Sequence, residues 1–212
     1  MTTQLLVLAK TPVPGRVKTR LCPPCTPEQA AAIAAAALAD TLDAGTAAGA
    51  GTFVVDGDHP APSGWLRMAQ RGDSLGERIA HAFADTARPG TATLLIGMDT
   101  PQVTPGLLRA ALNSLTTGLH DAVLGPAADG GWWALGLRDP GHATVLRDVP
   151  MSTRDTGSLT LAALRKRGVR VGTLPVLRDV DTAEDAYAVA ELCPPNSQFR
   201  AAVAALGPGV AA

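Results

Sequence analysis

The most restrictive feature of the sequence is a change of period that repeats along it. Apolar runs of four or five residues, at 5–9, 52–55 and 93–97, are each followed, directly or after a loop, by a longer stretch of helical spacing. A short run that is apolar throughout has no solvent face, so it belongs inside a sheet covered on both sides. Joining such strands side by side in parallel needs a crossover of a dozen or more residues, normally a helix. The alternation therefore predicts an α/β chain: one three-layer α/β/α sandwich with a mostly parallel sheet. Its helices are expected at 27–48, with Thr26 as N-cap and Pro27 in the first position, at 75–87, at 105–115 behind Thr104, and at 158–166. A last helix carries Glu184 and Asp185. Further strands are expected at 122–124, 132–137 and 170–174, and the stretch 139–151 reads as turns. With 46% hydrophobic residues the chain can fill such a core, mainly with Ala, Leu and Val. No repeat or linker divides it, so residues 1–193 read as one domain and 194–212 as an appendage, frayed over 207–212.

Charge and aromatic content narrow the function. Eighteen Lys and Arg stand against nineteen Asp and Glu, giving a net charge of −1. That excludes holding nucleic acid or anionic membrane through bulk charge. Three Trp, three Phe and one Tyr leave few stacking platforms for single strands. No window holds the roughly 18 apolar residues that span a bilayer, since Asp40 and Asp43 interrupt the alanine-rich stretch. The opening residues lack a basic leader and a small-residue cleavage site, and the odd cysteine count suits a reducing compartment, so the expectation is a cytoplasmic protein.

In an open α/β sheet, ligands sit beyond the carboxyl ends of the strands. Directly after the first strand comes Lys10-Thr11-Pro12-Val13-Pro14-Gly15-Arg16-Val17-Lys18-Thr19-Arg20-Leu21, with four cations and no acidic residue before Glu28. Lys10, Arg16, Lys18 and Arg20, without a carboxylate partner nearby in sequence and on a loop shaped by Gly15, suit a di- or triphosphate. The Gly-x4-Gly-Lys-Ser/Thr pattern of a P-loop is absent. The strand ending at Gly97 delivers Asp99, which either holds a hard divalent ion or makes a turn. In Arg178-Asp179-Val180-Asp181-Thr182 alternation sets Asp179 and Asp181 on one side of an extended segment; Asp181 is a metal ligand or, like Thr182, a helix cap. Asp129-Gly130-Gly131-Trp132-Trp133 combines a candidate base with glycines that allow close approach, and one tryptophan of the pair faces the crevice. Finally Gly72-Asp73-Ser74-Leu75-Gly76 opens a helix, where its amides read a base or anion, or Asp73 or Ser74 simply caps. Cys22-Pro23-Pro24-Cys25 has redox spacing without the strand-then-helix setting, and the four histidines show no ligand spacing.

These motifs, in this order, resemble a bacterial GT-A-like family known as arsenosugar-biosynthesis-type glycosyltransferases, formerly a domain of unknown function. The likeness covers residues 4–190 and implies a nucleotide-diphospho-sugar transferase fold, with Asp99 as the metal-binding aspartate after the central strand. The same motifs are similar to those of small guanylyltransferases of the phospholactate and molybdopterin type. Those share an Ala-Lys…Lys-x-Arg-Leu loop and the Asp179 to Asp185 segment, although the Gly-Gly-x-Gly-x-Arg start of many nucleotidyltransferases is missing here. The Asp-x-Asp of many glycosyltransferases is likewise incomplete, because Thr100-Pro101 follows Asp99.

The expectation is thus a metal-dependent transferase with a nucleotide-activated donor, a nucleotide-sugar glycosyltransferase first. The alternatives are a nucleotidyltransferase releasing pyrophosphate and a non-catalytic nucleotide binder. Lys10, Gly15, Arg16, Lys18, Arg20, Gly72, Asp73, Leu75 and Gly76 would bind the nucleotide, and Asp99 and Asp181 Mg2+ or Mn2+. Gly130, Gly131 and Trp132 would contact a small-molecule acceptor, with Asp129 and Lys18 as catalytic groups.

Overall fold

The computed structural model describes residues 1–49 and 51–206. Seven strands among them form one sheet: β1 (Thr2–Lys10), β2 (Gly51–Asp56), β3 (Leu66–Ala69), β4 (Thr91–Ile96), β5 (Ala122–Pro126), β6 (Trp132–Leu137) and β7 (Val171–Thr173). Their order is β3-β2-β1-β4-β6-β5-β7. All pairings are parallel except those of β6 with its neighbours β4 and β5. The long helices are α1 (Pro27–Gly49), α2 (Leu75–Thr86), α3 (Pro105–Thr116), α4 (Thr156–Lys166), α5 (Ala183–Leu192) and α6 (Gln198–Ala204). The stretch read as turns contains a 3-10 segment, Pro140–Asp148, capped by Asp139, whose carboxylate accepts the Gly141 N–H at 2.8 Å.

Strand alternation sorts the core into two faces. Leu5, Val7 and Ala9 of β1 meet Leu38 and Leu42 of α1 and Leu108 and Leu115 of α3. Leu6, Val54 and Leu95 point the other way, toward Ile79 and Phe83 of α2 and Leu146 and Leu164. The expected three layers follow. β4 is buried along its whole length, which makes it a central strand. β6 runs backwards, so its first residue, Trp132, lies at the rim where the parallel strands end. That reversal brings the loop before β6 to the same rim as the loops after β1 and β4.

Two elements escape the sequence pattern. β3 is a four-residue edge strand with one half-buried residue, too short to show a period. α6 belongs to the body rather than to an appendage: Phe199 and Val203 join Ile33 and Ala37 of α1 and Val189 of α5 in a third apolar cluster. Asp40 holds its start, accepting from the Ser197 hydroxyl at 2.6 Å and from the Phe199 and Gln198 N–H groups at 2.9 and 3.0 Å. A carboxylate at a helix N-terminus satisfies donors that the helix cannot. The stretch 207–212 lies outside the described residues. Among the described residues, no helix is long and apolar enough to cross a membrane.

Phe199 is fully buried. Phe199→Ala should therefore cost about 3–5 kcal/mol in urea unfolding, the usual range for a buried aromatic. A loss below about 1 kcal/mol would mean that α6 contributes little to the fold.

Candidate active site

A cleft of about 990 Å³ opens at the carboxyl rim of β1 and β4, a volume within the range of small-molecule sites. Lys10, Arg16, Lys18, Arg20, Asp73, Leu75, Asp99, Asp129, Gly131, Trp132 and Asp181 all line it. Residues as far apart in the chain as Lys10 and Asp181 thus converge because the sheet places their strand ends side by side. Gly15, Gly72, Gly76 and Gly130 are not in its wall.

The loop after β1 is pinned at two apolar points. Val17 enters the cluster between sheet and α1, and Leu21, fully buried, enters the cluster shared with α5 and α6. Gly15 turns the chain at φ +73°, and Lys18 itself adopts the left-handed region at φ 49°, an uncommon conformation for a residue with a side chain. Held between two anchors, Lys18 extends under the cleft: its side chain is only 9% exposed. Its ammonium lies 2.7 Å from Asp99 Oδ1 and 3.3 Å from Asp181 Oδ1, and Arg20 reaches Asp181 Oδ2 at 3.4 Å. Two of the four cations that lack a partner in the sequence therefore find one across the fold, in the two aspartates expected to hold a metal. Burial alone would lower the Lys18 pKa, but Asp99 and then Asp181 outweigh it and raise it, so Lys18 stays an ammonium.

The segment after β7 is set in register by Val180, whose N–H donates to the Asp99 carbonyl at 2.9 Å. Thr182 caps α5 in a reciprocal box with Asp185, which leaves Asp181 out of the cap and turned to Lys18. Asp179 lines the same cleft. Burial, then Asp99 and Asp129, push its pKa up to about 7, against the opposing pull of Lys18. The site thus carries more negative charge than Lys18 neutralises.

On the opposite wall, Asp129 Oδ1 accepts the Gly131 N–H at 2.8 Å, the turn expected of a Gly-flanked aspartate. Both tryptophans touch the cleft wall where one was expected: Trp133 is buried and donates to the Pro175 carbonyl at 2.9 Å, and Trp132 is half-buried and donates to the Thr160 hydroxyl of α4 at 3.2 Å. At the start of α2, Ser74 is the cap. The Asp73 and Ser74 amides already donate to the Glu77 carboxylate at 2.8 and 3.1 Å, so of the two readings the sequence left open for this loop these amides serve the cap. Gly76 is small because the Leu146 carbonyl leaves no room for a Cβ, a packing reason.

Several wall residues carry no sequence signal. Gln70 donates to the Ala9 carbonyl at 2.6 Å, and Met98 accepts the Lys10 N–H at 3.3 Å through sulfur. Arg78 is held by Asp56 at 2.9 Å, and Met151 to Arg154 reach the cleft from the end of the turn stretch and the unassigned residues after it.

The donor set can be tested against the expected metal. Among the described residues, no three His, Cys, Asp or Glu side chains are grouped to enclose an ion by themselves. Asp99 and Asp181 offer hard oxygen donors already gathered round one cation, Lys18, beside a third carboxylate that burial has made basic. Such a pair fits an Mg2+-like ion that completes its coordination with water and substrate phosphate.

The fold is that of the nucleotide-diphospho-sugar transferases. It matches a Desulfovibrio desulfuricans G20 protein, provisionally named for that class, at TM-score 0.81 and 30% identity over 97% of this chain and 94% of that one. The chain belongs to the family described as "Uncharacterized protein conserved in bacteria (DUF2064)", whose profile matches residues 29–153. More distant matches share the fold. Rv0371c from Mycobacterium tuberculosis H37Rv, solved in complex with manganese, has TM-score 0.55 and 22% identity over 90% of this chain and 99% of that one. CMP:2-keto-3-deoxy-manno-octonic acid synthetase, solved with CTP, has TM-score 0.53 and 12% identity over 89% and 97%. No curated protein sequence matches the chain significantly.

Asp179 makes the site pH-sensitive. Between an ordinary carboxylate pKa near 4 and the folded value of about 7, the folded state binds more protons than the unfolded, so stability falls as pH rises through that window. Asp179→Asn removes this loss: in thermal melts its stability advantage over wild type should grow from pH 4 to 7 and level off above. A flat difference would show that Asp179 titrates normally.

Proposed function

We propose that the protein is a metal-dependent transferase that takes a glycosyl group from a nucleotide-sugar to a small acceptor. The observation that carries this reading is the junction of two kinds of charge in one cleft. Lys10 and Arg16, with no carboxylate within 4.0 Å among the described residues, stand beside the Asp99 and Asp181 pair. Such a junction suits a diphosphate that must be gripped on one side and neutralised on the other. When bound, a divalent cation held by Asp99 and Asp181 would supply further neutralisation of the leaving phosphate.

The chain's own residues have distinct tasks. Asp129 accepts the proton of the acceptor hydroxyl, whose oxygen bonds to the anomeric carbon. The bond from that carbon to the diphosphate oxygen breaks, and its electron pair leaves with the nucleoside diphosphate, where Lys10 and Arg16 meet the charge. Lys18 keeps Asp99 and Asp181 together and supplies a fixed cation at the floor of the cleft. Gly131 and Trp132 shape the acceptor side, and Leu75 the side where α2 begins.

Nucleotidyl transfer is a second reading, favoured by the CTP-bound synthetase that shares the fold. In that case the acceptor oxygen bonds to the α-phosphorus and pyrophosphate leaves. Incubation with a nucleotide-sugar panel, and separately with nucleoside triphosphates, followed by mass analysis of products distinguishes the two. Release of nucleoside diphosphate supports glycosyl transfer; pyrophosphate supports the second reading; no nucleotide binding in the presence of Mn2+ overturns both.

Lys10→Ala and Arg16→Ala should each weaken nucleotide binding about ten- to a hundred-fold, the worth of one lost hydrogen bond to a charged group, and the double variant more than either. Asp99→Asn should instead remove the dependence of that affinity on Mn2+. Because Asp99 is also the nearer partner of Lys18, the variant's melting temperature must be followed beside it. If the double variant and Asp99→Asn lose affinity alike and independently of Mn2+, the division of roles is wrong.

A further inference from the structure

The cleft has a cation that the donor-binding loop does not account for. Arg154 lines it from the loop between the 3-10 segment and α4. Lys18, Arg20 and Arg78, which share the cleft, are each held by an aspartate. Among the described residues, no carboxylate lies within 4.0 Å of the Arg154 guanidinium.

Its backbone, by contrast, is fixed. The Arg154 carbonyl lies so close to Gly130 that a Cβ there has no room, and Gly130 adopts φ +92°. The Gly157 N–H donates to the Gly130 carbonyl at 2.9 Å. Thr156 locks the loop from within, its hydroxyl donating to the Pro150 carbonyl at 2.9 Å and accepting the Thr153 N–H at 3.0 Å. Arg154 and Asp129 therefore sit on two interlocked loops whose backbones keep a set spacing. They also stand apart from the donor grip. β4, whose end carries Asp99, lies between β1, which leads into Lys10 and Arg16, and β6, which begins beside Asp129.

An exposed guanidinium carried on a fixed backbone, without an internal anion and on a loop packed against the one that carries a candidate base, suits a ligand that is itself anionic. We infer that the acceptor carries a carboxylate or phosphate close to its reacting hydroxyl, and that Arg154 binds this group while Asp129 faces the hydroxyl. The inference rests on the transferase reading for its role, but the anion subsite can be tested without it.

Glycerol 3-phosphate, glycerate and glycerol, titrated by NMR without nucleotide, serve as probes. Wild type and the Lys10→Ala/Arg16→Ala variant should bind at least one of the two anions and not glycerol, and whichever anion binds tighter identifies the group. Arg154→Gln should weaken anion binding about ten- to a hundred-fold, Arg154→Lys less so, and nucleotide affinity should stay within about twofold. The inference is overturned if neither anion binds wild type, if glycerol binds as well, or if Arg154→Gln leaves anion binding intact. It is equally overturned if Arg154→Gln lowers nucleotide affinity as much as the Lys10 and Arg16 changes do, since Arg154 would then belong to the donor. Failure of every nucleotide to bind sinks the transferase reading alone.

Discussion

An ammonium held between two carboxylates organises this molecule's cleft. Lys18 comes from the loop after β1, Asp99 from the end of β4, and Asp181 from the segment after β7. A buried charge must be paired, and removing one member of such a set leaves the others uncompensated at several kcal/mol. Three segments far apart in the chain are therefore bound to one geometry. The carboxylates of the site also feel one another: burial, then Asp99 and Asp129, raise the Asp179 pKa against the pull of Lys18.

The sheet supplies the frame on which this works. Parallel strands β1 and β4 end together, and the reversed β6 starts where they end, so loops that emerge in opposite chain directions meet at one rim. α1 packs on the sheet with one side and on α5 and α6 with another, which its alanines permit by letting neighbours approach closely. The segment carrying Asp179 and Asp181 is thereby clamped between the end of β4 and the cap of α5. Charge on the rim is divided in consequence: Lys10 and Arg16 on one flank, the aspartates in the middle, Arg154 and Asp129 on the other.

Much of this is legible in the sequence where the signal is local. Strands 5–9 and 93–97 are legible, within β1 and overlapping β4, because a strand covered on both faces is largely apolar without alternation. The helix start at Thr104 is legible because a cap is a bond between neighbours, and the choice between Asp181 and Thr182 for α5 falls to Thr182 in the structure. β3 does not read, since four edge residues lack a period; α6 has a local cap in Ser197, but its seven residues are too few to show a helical period, and the Asp40 carboxylate that secures its start lies 157 residues earlier. At the site, Asp99, Asp181 and the basic loop were visible as chemistry after strands. Arg154 was not, because its place depends on the fit of two loops against Gly130.

The sequence by itself determined the class of fold and the list of charged groups that follow the strands, since both are written in spacing and side-chain type. It also made the basic loop look unpaired, because within 27 residues it is. Only the tertiary structure decided which of those charges meet: Lys18 and Arg20 are neutralised across more than 160 residues, while Lys10 and Arg16 keep no carboxylate within 4.0 Å among the described residues. The physical reason is that Coulombic pairing depends on distance in space, and the sheet order, not the chain order, sets that distance.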